Sequence, residues 1–280
     1  MTHYATGRVI SADGTVIGFR RLGNGPPVVL VHGGMQAAQD LMKLADALSA
    51  EFDVVVPDRR GRGLSGPYNG AIDDEVADVQ AVVEQTAASR VFGLSSGALL
   101  ALRTAARTPT VTRVALYEPP LSTNGSVPTS WTAAFERQIA AGDSTGALIT
   151  VLKGLRIDPA MQRIPSFALR LVFTMLARRS RPDDVPLDEL VPTMHYDMQL
   201  VRQLEDSAGD YANLHAEVLL LGGTKSPDYL TAALDELETR LPNRRRVTFD
   251  GIGHTAPADD GAPERVAAEL GEFFRESADD

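Results

Sequence analysis

The 280-residue chain contains no cysteine and carries a formal net charge of −10 at pH 7. Without cysteine, a disulfide framework, a thiolate nucleophile and a cysteine-ligated metal site are all excluded. The acidic balance argues against a nucleic-acid partner, and the densest basic stretch, Arg244–Arg246, is interpreted as a solvated turn ahead of a strand. The length suits one large domain, or one domain that carries a substantial insertion.

The sequence offers no candidate membrane or export segment. No apolar run approaches the roughly 18 residues that a membrane-spanning helix requires. The stretch from Met1 to Val9 lacks the apolar core of a signal peptide. We therefore expect a cytoplasmic protein with no membrane partner.

In chain order, the first predicted element is an antiparallel hairpin, in which the turn Asp13-Gly14 joins Gly7–Ser11 to Thr15–Arg21. Short apolar runs of strand length then recur, and helix-like stretches at 36–51, 74–87 and 97–107 lie between the first of them. The apolar runs are Val28–Val31, Val54–Val56, Val91–Leu94, Val114–Tyr117, Val218–Leu221 and Val247–Phe249. This alternation predicts an α/β fold with a mostly parallel, eight-stranded sheet flanked by helices.

The stretch from Pro119 to about Leu214 contains no strand-like run and has helical periodicity instead. Its predicted helices are Trp131–Ala141, Thr145–Leu155, Ser166–Ala177 and Leu187–Leu204. We interpret residues 119–213 as a helical cap inserted into a core formed by residues 1–118 and 214–280. A free-standing second domain is the alternative, and the return of strand-like runs after it argues against that reading.

A candidate nucleophile lies in Gly93-Leu94-Ser95-Ser96-Gly97, which follows a predicted strand and opens a predicted helix. A sharp strand-to-helix turn forces its middle residue into a strained conformation and lifts the hydroxyl of Ser95 clear of the sheet. The flanking residues must be very small, because strand and helix pass closely there. The helix start also directs free N–H groups towards developing negative charge.

Two further motifs lie at predicted strand ends. The strand Val28–Val31 ends in His32-Gly33-Gly34, where small residues allow the N–H of Gly34 to face an active-site mouth together with the N–H of Ser96. His32 is interpreted as a buried residue that braces this loop. His254, in a glycine-rich loop after the last predicted strand, is placed where a general base can reach the nucleophile.

Four motifs in this order make the chain resemble proteins of the α/β-hydrolase fold over nearly its whole length. They are His32-Gly33-Gly34, Asp58-Arg59-Arg60-Gly61-Arg62-Gly63-Leu64-Ser65, Gly93-Leu94-Ser95-Ser96-Gly97 and Gly251-Ile252-Gly253-His254. The resemblance implies that Ser95 is the nucleophile, that His254 is the base, and that the N–H groups of Gly34 and Ser96 bind the oxyanion. It gives Asp58 a structural role only.

The acid of the triad departs from the family pattern. Members usually carry it just after the strand before the last, where this chain has Ser226, with Asp228 two residues later. Other members place it one strand earlier, at the position of Glu118. Ser226-Pro227-Asp228 has a competing role as the start of a helix over 229–241, so we favour Glu118 and leave Asp228 as the alternative.

The sequence thus predicts a serine hydrolase that acts on a small-molecule carboxylic ester, or a related acyl compound, through a Ser–His–acid triad and an acyl-enzyme. A carbon–carbon bond hydrolase or an aminopeptidase of the same fold is an alternative, as is a ligand-binding or cyclase scaffold without turnover. No metal-ligand spacing or phosphate loop occurs, so we expect neither a metal nor a cofactor. A small-molecule substrate is the expected partner, and the oligomeric state stays open.

Overall fold

A computed structural model describes residues 3–68, 71–177 and 184–275, and in this part of the chain eight strands form one sheet. The strands are β1 (Ala5–Ile10), β2 (Val16–Leu22), β3 (Pro27–Val31), β4 (Asp53–Pro57), β5 (Arg90–Leu94), β6 (Arg113–Tyr117), β7 (Glu217–Gly223) and β8 (Arg244–Phe249). In the order β1-β2-β4-β3-β5-β6-β7-β8, β2 runs antiparallel to both of its neighbours, and the other pairs are parallel. The predicted fold class is confirmed.

Helices cover both faces of this sheet. In chain order they are α1 (Met42–Leu48), α2 (Ile72–Thr86), α3 (Ser96–Arg107), α4 (Thr132–Ala140), α5 (Ser144–Gly154), α6 (Pro159–Arg163), α7 (Ser166–Ala177), α8 (Leu187–Leu190), α9 (Met194–Gln203), α10 (Asp228–Arg240) and α11 (Pro263–Arg275). Val29 and Val31 of β3 pack with α2, α3 and α10, whereas Val28 and Leu30 pack with α1 and α11. Successive side chains of a strand point to opposite faces, and here both faces are buried, which explains the uninterrupted apolar runs.

Between β6 and β7 the described residues form helices, 3₁₀ turns and loops but no strand, and we call residues 119–213 the helical insertion. Trp131, Phe135 and Met194 belong to an apolar cluster of its own. Leu200 and Val201 of α9 instead join the main core beside α3, so the insertion is packed onto the sheet domain. The predicted division at residues 119–213 stays a prediction, and it includes residues 178–183, which lie outside the described residues.

Two predicted helices are interrupted in the structure. The stretch 36–51 contains a 3₁₀ turn, Ala38–Leu41, before α1 begins. The carboxylate of Asp40 accepts the N–H of Ala37 there and fixes that tighter turn. The predicted helix Leu187–Leu204 is divided into α8 and α9 by a second 3₁₀ turn at Pro192, because proline cannot donate a helical hydrogen bond.

The interpretation of Arg244–Arg246 as a solvated turn is wrong. These residues begin β8, and Arg244 pairs in register with Val218 of β7. The guanidinium of Arg246 forms ion pairs with Asp235 and Glu238 of α10. Long arginine side chains can lie along a sheet and keep their charged ends at its rim, so a basic stretch is compatible with an edge strand.

The packing of α11 against the sheet can be tested by truncating Phe274. This side chain is fully buried, and its ring lies edge-on to that of Phe52 with centroids 6.2 Å apart. Because Phe274→Ala leaves a cavity, we expect it to lower the free energy of unfolding by about 3–5 kcal/mol in urea titrations. Phe167→Ala is the matched control, since the Phe167 ring is 79% exposed, and it should change stability by less than about 0.5 kcal/mol. Equal losses would contradict this packing.

Candidate active site

Ser95 occupies the turn between β5 and α3. Its backbone has φ 55° and ψ −125°, a conformation that costs energy for any residue except glycine. Its N–H donates to the carbonyl of Tyr117 in β6 at 2.9 Å, which holds the strained turn against the neighbouring strand. The hydroxyl of Ser95 is thereby presented at the carboxyl end of the sheet.

The glycines on either side of Ser95 are required by close backbone approach. A Cβ atom on Gly93 would lie 2.4 Å from the carbonyl oxygen of Gly97, and a Cβ on Gly97 would lie 2.3 Å from the carbonyl oxygen of His32. Both distances are far inside van der Waals contact. The small residues thus let α3 start directly beside the loop that follows β3.

Three polar side chains form a hydrogen-bonded row across this end of the sheet. Nε2 of His254 lies 3.0 Å from Oγ of Ser95. Nδ1 of the same ring lies 2.7 Å from Oε2 of Glu118. The His254 side chain is 10% exposed and the Glu118 side chain 1%. The structure thus brings together the three residues that the sequence predicts as nucleophile, base and acid.

Glu118 is anchored by partners from the neighbouring strand. It follows β6 directly, at φ 47°, and its N–H donates to the carbonyl of Leu221. Its Oε1 accepts the N–H of Gly223 at 2.7 Å and the hydroxyl of Ser226. With Oε1 engaged in this way, Oε2 is left to face the imidazole of His254.

Of the residues that the sequence assigned to the start of α10, Ser226 departs from that assignment and Asp228 follows it. Pro227, not Ser226, is the N-cap of the helix, because the Ser226 hydroxyl is turned towards Glu118. Asp228 is exposed in the first turn and makes no contact with His254 among the described residues. A negative charge in the first turn of α10 interacts favourably with the helix dipole. Asp228 takes no part in the hydrogen-bonded row of Glu118, His254 and Ser95.

The predicted oxyanion donors lie beside Ser95. Gly34 and Ser95 line the same small cavity, and Ser96 lines an adjoining one with them. The N–H of Gly33 is already engaged, since it donates to Oε1 of Gln36 at 2.8 Å. Within the described part of the chain, the N–H groups of Gly34 and Ser96 donate to no protein acceptor. They are therefore available to an oxygen atom bound next to Ser95.

His32 and Asp58 hold the loops behind this site. His32 is fully buried, and its Nε2 accepts the N–H of Arg59 at 3.2 Å. Burial lowers the pKa of His32 well below its ordinary value, and the neighbouring arginine charges lower it further. The carboxylate of Asp58 accepts the N–H groups of Ala38 at 2.7 Å and Leu64 at 3.0 Å. Both side chains are thus used inside the scaffold.

Three cavities meet near His254. The one beside Ser95 has a volume of about 110 Å³, and its wall from the insertion is formed by Val151, Leu152, Leu155, Ile157 and Met194. A smaller space of about 40 Å³ lies on the Ser96 side. An outer cavity of about 880 Å³ is lined by Lys225 and by the loop that carries His254. The inner walls are largely apolar, so they suit an uncharged group of limited size.

One buried acid at this site escaped the sequence analysis. Asp197 of α9 is fully buried and hydrogen-bonds Ser96, Arg59 and Arg62. The available signal was its position in α9 on the same helix face as Met194 and Val201, where an apolar residue is expected.

Neither a metal-binding cluster nor a membrane-spanning helix is found among the described residues. No group of three or more His, Cys, Asp or Glu side chains is placed there to hold a metal ion. Likewise, no helix in the described part of the chain is long and apolar enough to cross a membrane.

Comparison with known proteins identifies the family of this chain. A model described as the alpha/beta hydrolase family matches residues 28–269. The chain belongs to the alpha/beta hydrolase family. An alpha/beta hydrolase structure from Sphaerobacter thermophilus agrees with it at a TM-score of 0.78 and 30% sequence identity, over 96% of this chain and 100% of that one.

Two curated relatives match parts of this alpha/beta hydrolase. N-formylmaleamate deformylase from Pseudomonas putida is 34% identical over 132 residues, which are 45% of this chain and 49% of that protein. Proline iminopeptidase from Xanthomonas citri is 34% identical over 116 residues, which are 38% of this chain and 36% of that protein. The matched regions thus span about half of the first relative and about a third of the second.

Proposed function

We propose that this alpha/beta hydrolase is a serine hydrolase that cleaves small-molecule carboxylic esters through an acyl-enzyme. The observation that carries the proposal is the row Glu118–His254–Ser95, with contacts of 2.7 Å and 3.0 Å, which ends at a cavity beside two free N–H groups. In acyl transfer Ser95 would be the nucleophile, His254 the base and Glu118 the acid that orients the base. The three side chains lie in the order that proton transfer requires.

In the proposed reaction, Oγ of Ser95 attacks the ester carbonyl while Nε2 of His254 takes its proton. The carbonyl oxygen becomes an oxyanion, and the N–H groups of Gly34 and Ser96 stabilise it. His254 then gives the proton to the departing alkoxide, which leaves as an alcohol, and the acyl group stays on Ser95. Water, deprotonated by His254, then attacks the acyl carbonyl, and His254 returns the proton to Oγ of Ser95 as the carboxylic acid is released. Glu118 orients the imidazole and balances its transient charge.

The cavities support a division of the ester between its two halves. The leaving oxygen must lie within reach of His254, which lines all three cavities, and of these the outer one, at about 880 Å³, has the most room for a large leaving group. The acyl group must lie against Ser95 and Gly34, where the inner spaces measure about 110 Å³ and 40 Å³. We therefore infer a short, uncharged acyl group and a larger leaving group.

A second candidate is the hydrolysis of an amide or peptide bond. It is favoured by the names of the two curated relatives, a deformylase and an iminopeptidase. The same row of groups serves an amine leaving group, since His254 protonates it in the same way. Ester and anilide substrates with identical acyl groups separate the two candidates, because only the leaving atom differs between them.

The first prediction concerns the nucleophile. A fluorophosphonate probe should label Ser95, located by peptide mass spectrometry, and Ser95→Ala should abolish labelling and lower turnover by several orders of magnitude. The fold should persist in the variant by circular dichroism. Labelling of Ser96 instead, or of no serine in active protein, would contradict the assignment of Ser95 as the nucleophile.

The second prediction separates the two candidate acids. Glu118→Gln removes the charge that orients His254, and we expect turnover to fall by up to about 10⁴-fold, the cost of neutralising the acid in serine protease triads. Asp228→Asn is the matched control, because Asp228 is exposed on α10 and makes no contact with His254. It should change turnover by less than about twofold. The reverse ranking would assign the acid to Asp228.

The third prediction concerns acyl length. In a series of p-nitrophenyl esters, kcat/KM should be roughly tenfold or more higher for acetyl to butyryl esters than for decanoyl esters. Leu155→Ala should shift the optimum towards longer chains, since Leu155 lines both inner cavities. Leu171→Ala, whose side chain is 66% exposed on α7, should leave the profile unchanged. A wild-type optimum at decanoyl would refute the assignment of the acyl group to the inner cavities.

A further inference from the structure

Four charged side chains are buried together directly behind the predicted oxyanion donors. Arg59 and Arg62 come from the loop after β4, Glu75 comes from α2, and Asp197 comes from α9 of the helical insertion. Each of these side chains is at most 2% exposed. We call them the buried charge cluster. With two positive and two negative groups, the cluster is electrically neutral as a whole.

Asp197 is the member that contacts the site. Its Oδ1 accepts the Ser96 hydroxyl at 2.8 Å and Nη1 of Arg59 at 2.7 Å. Its Oδ2 accepts Nη2 of Arg62 at 2.7 Å. Three donors thus fix the orientation of one carboxylate, and one of them belongs to the residue after the proposed nucleophile.

The same carboxylate also lies against the other proposed oxyanion donor. A Cβ atom placed on Gly34 would lie 3.1 Å from Oδ2 of Asp197. Asp197 therefore hydrogen-bonds Ser96 and occupies the space that a side chain at Gly34 would need, and these two residues approach it from different loops of the sheet domain. A shift of the Asp197 side chain would change the space next to Gly34 or the hydrogen bond with the Ser96 hydroxyl.

The charge state of Asp197 is set by its neighbours. Burial alone would raise the pKa of Asp197, but the charges of Arg62 and Arg59 outweigh burial and lower that pKa to about 2. The group is therefore a carboxylate at neutral pH. As an acceptor without a proton, it can bind the Ser96 hydroxyl and both guanidiniums at once.

We propose that Asp197 is a positioning residue that holds Gly34 and Ser96 so that their N–H groups converge on the oxyanion. This inference rests on the proposed serine hydrolase function. Asp197 belongs to the helical insertion. The oxyanion hole of the sheet domain is therefore complete only when α9 is packed in this position. Arg62 also fixes the position of α9, since its Nε donates to the hydroxyl of Thr193, the residue that precedes α9, at 3.0 Å.

The test is Asp197→Asn, compared with wild type in ester turnover and in the rate of phosphonylation by a fluorophosphonate. The amide nitrogen of Asn donates rather than accepts, so it cannot bind the three donors in the original geometry. We expect kcat to fall by about 10- to 100-fold with KM within about twofold of wild type. Phosphonylation should slow in parallel, because it also develops negative charge on an oxygen in this pocket.

Asp78→Asn is the matched control. Asp78 of α2 is a buried carboxylate that binds Nε of Arg60 at 2.6 Å and Nη2 at 2.7 Å, and it contacts neither Gly34 nor Ser96. This variant should lose stability in urea titrations while keeping the kcat and the phosphonylation rate of wild type per folded molecule. Equal losses of kcat in the two variants would overturn a specific role for Asp197, as would an unchanged or increased kcat in Asp197→Asn.

Ser96→Ala serves as a second variant should Asp197→Asn fail to fold. It removes the hydroxyl that Asp197 holds but keeps the backbone N–H, and we expect kcat to fall by about tenfold. An unchanged kcat in Ser96→Ala would overturn the proposal. A wild-type protein that does not react with the probe would overturn the proposed function and this inference together, whereas a reactive wild type with an equally reactive Asp197→Asn would overturn the inference alone.

Discussion

The close approach of α3 to the ends of β3 and β5 is the constraint on which the rest of the site depends. Side chains larger than hydrogen at positions 93 and 97 would collide with backbone atoms of the helix and of the His32 loop. With glycine at both positions, the start of α3 reaches the loop that carries Gly34. The hydroxyl of Ser95 and the N–H groups of Gly34 and Ser96, which donate to no acceptor among the described residues, then lie around one small space.

The buried charge cluster adds a second constraint, of a different physical kind. Taking four ions out of water costs several kcal/mol for each, and only close pairing offsets that cost. Apolar contacts between helices tolerate small sliding, whereas charge pairs at 2.7 Å do not. The pairs of Asp197 with Arg59 and Arg62 therefore fix the position of α9 relative to the loop after β4. Their contribution to the free energy of unfolding is reduced by the cost of burying the charges.

Much of this architecture could be predicted from local patterns, and the reasons are specific. Strands buried on both faces leave uninterrupted apolar runs, and the tight turn at Ser95 requires glycines at fixed spacing. The choice of Glu118 over Asp228 followed from the competing role of Asp228 at a helix start, although Ser226 proved to bind Glu118 instead of capping that helix.

What escaped prediction depends on contacts between distant parts of the chain. Ser96 and Asp197 are separated by 101 positions, and no local pattern in a single sequence pairs them. The place of Arg244 in β8 and the 3₁₀ turn at Pro192 were also missed, for two different reasons. For Arg244 the deciding interaction is the pairing with Val218 of β7, which overrules the local composition, whereas at Pro192 the signal is local and is the proline itself.

The contact between Glu118 and Ser226 has a consequence for how the acid can change strands within this family. Ser226 stands where the family resemblance of the sequence led us to expect the acid, and its hydroxyl donates to Glu118. An aspartate introduced there while Glu118 remains would bring two carboxylates into contact, and one of them would have to bind a proton. A move of the acid that begins with the aspartate therefore passes through a sequence whose catalytic charge depends on pH. The serine hydroxyl, as a neutral donor, leaves the neighbouring carboxylate charged.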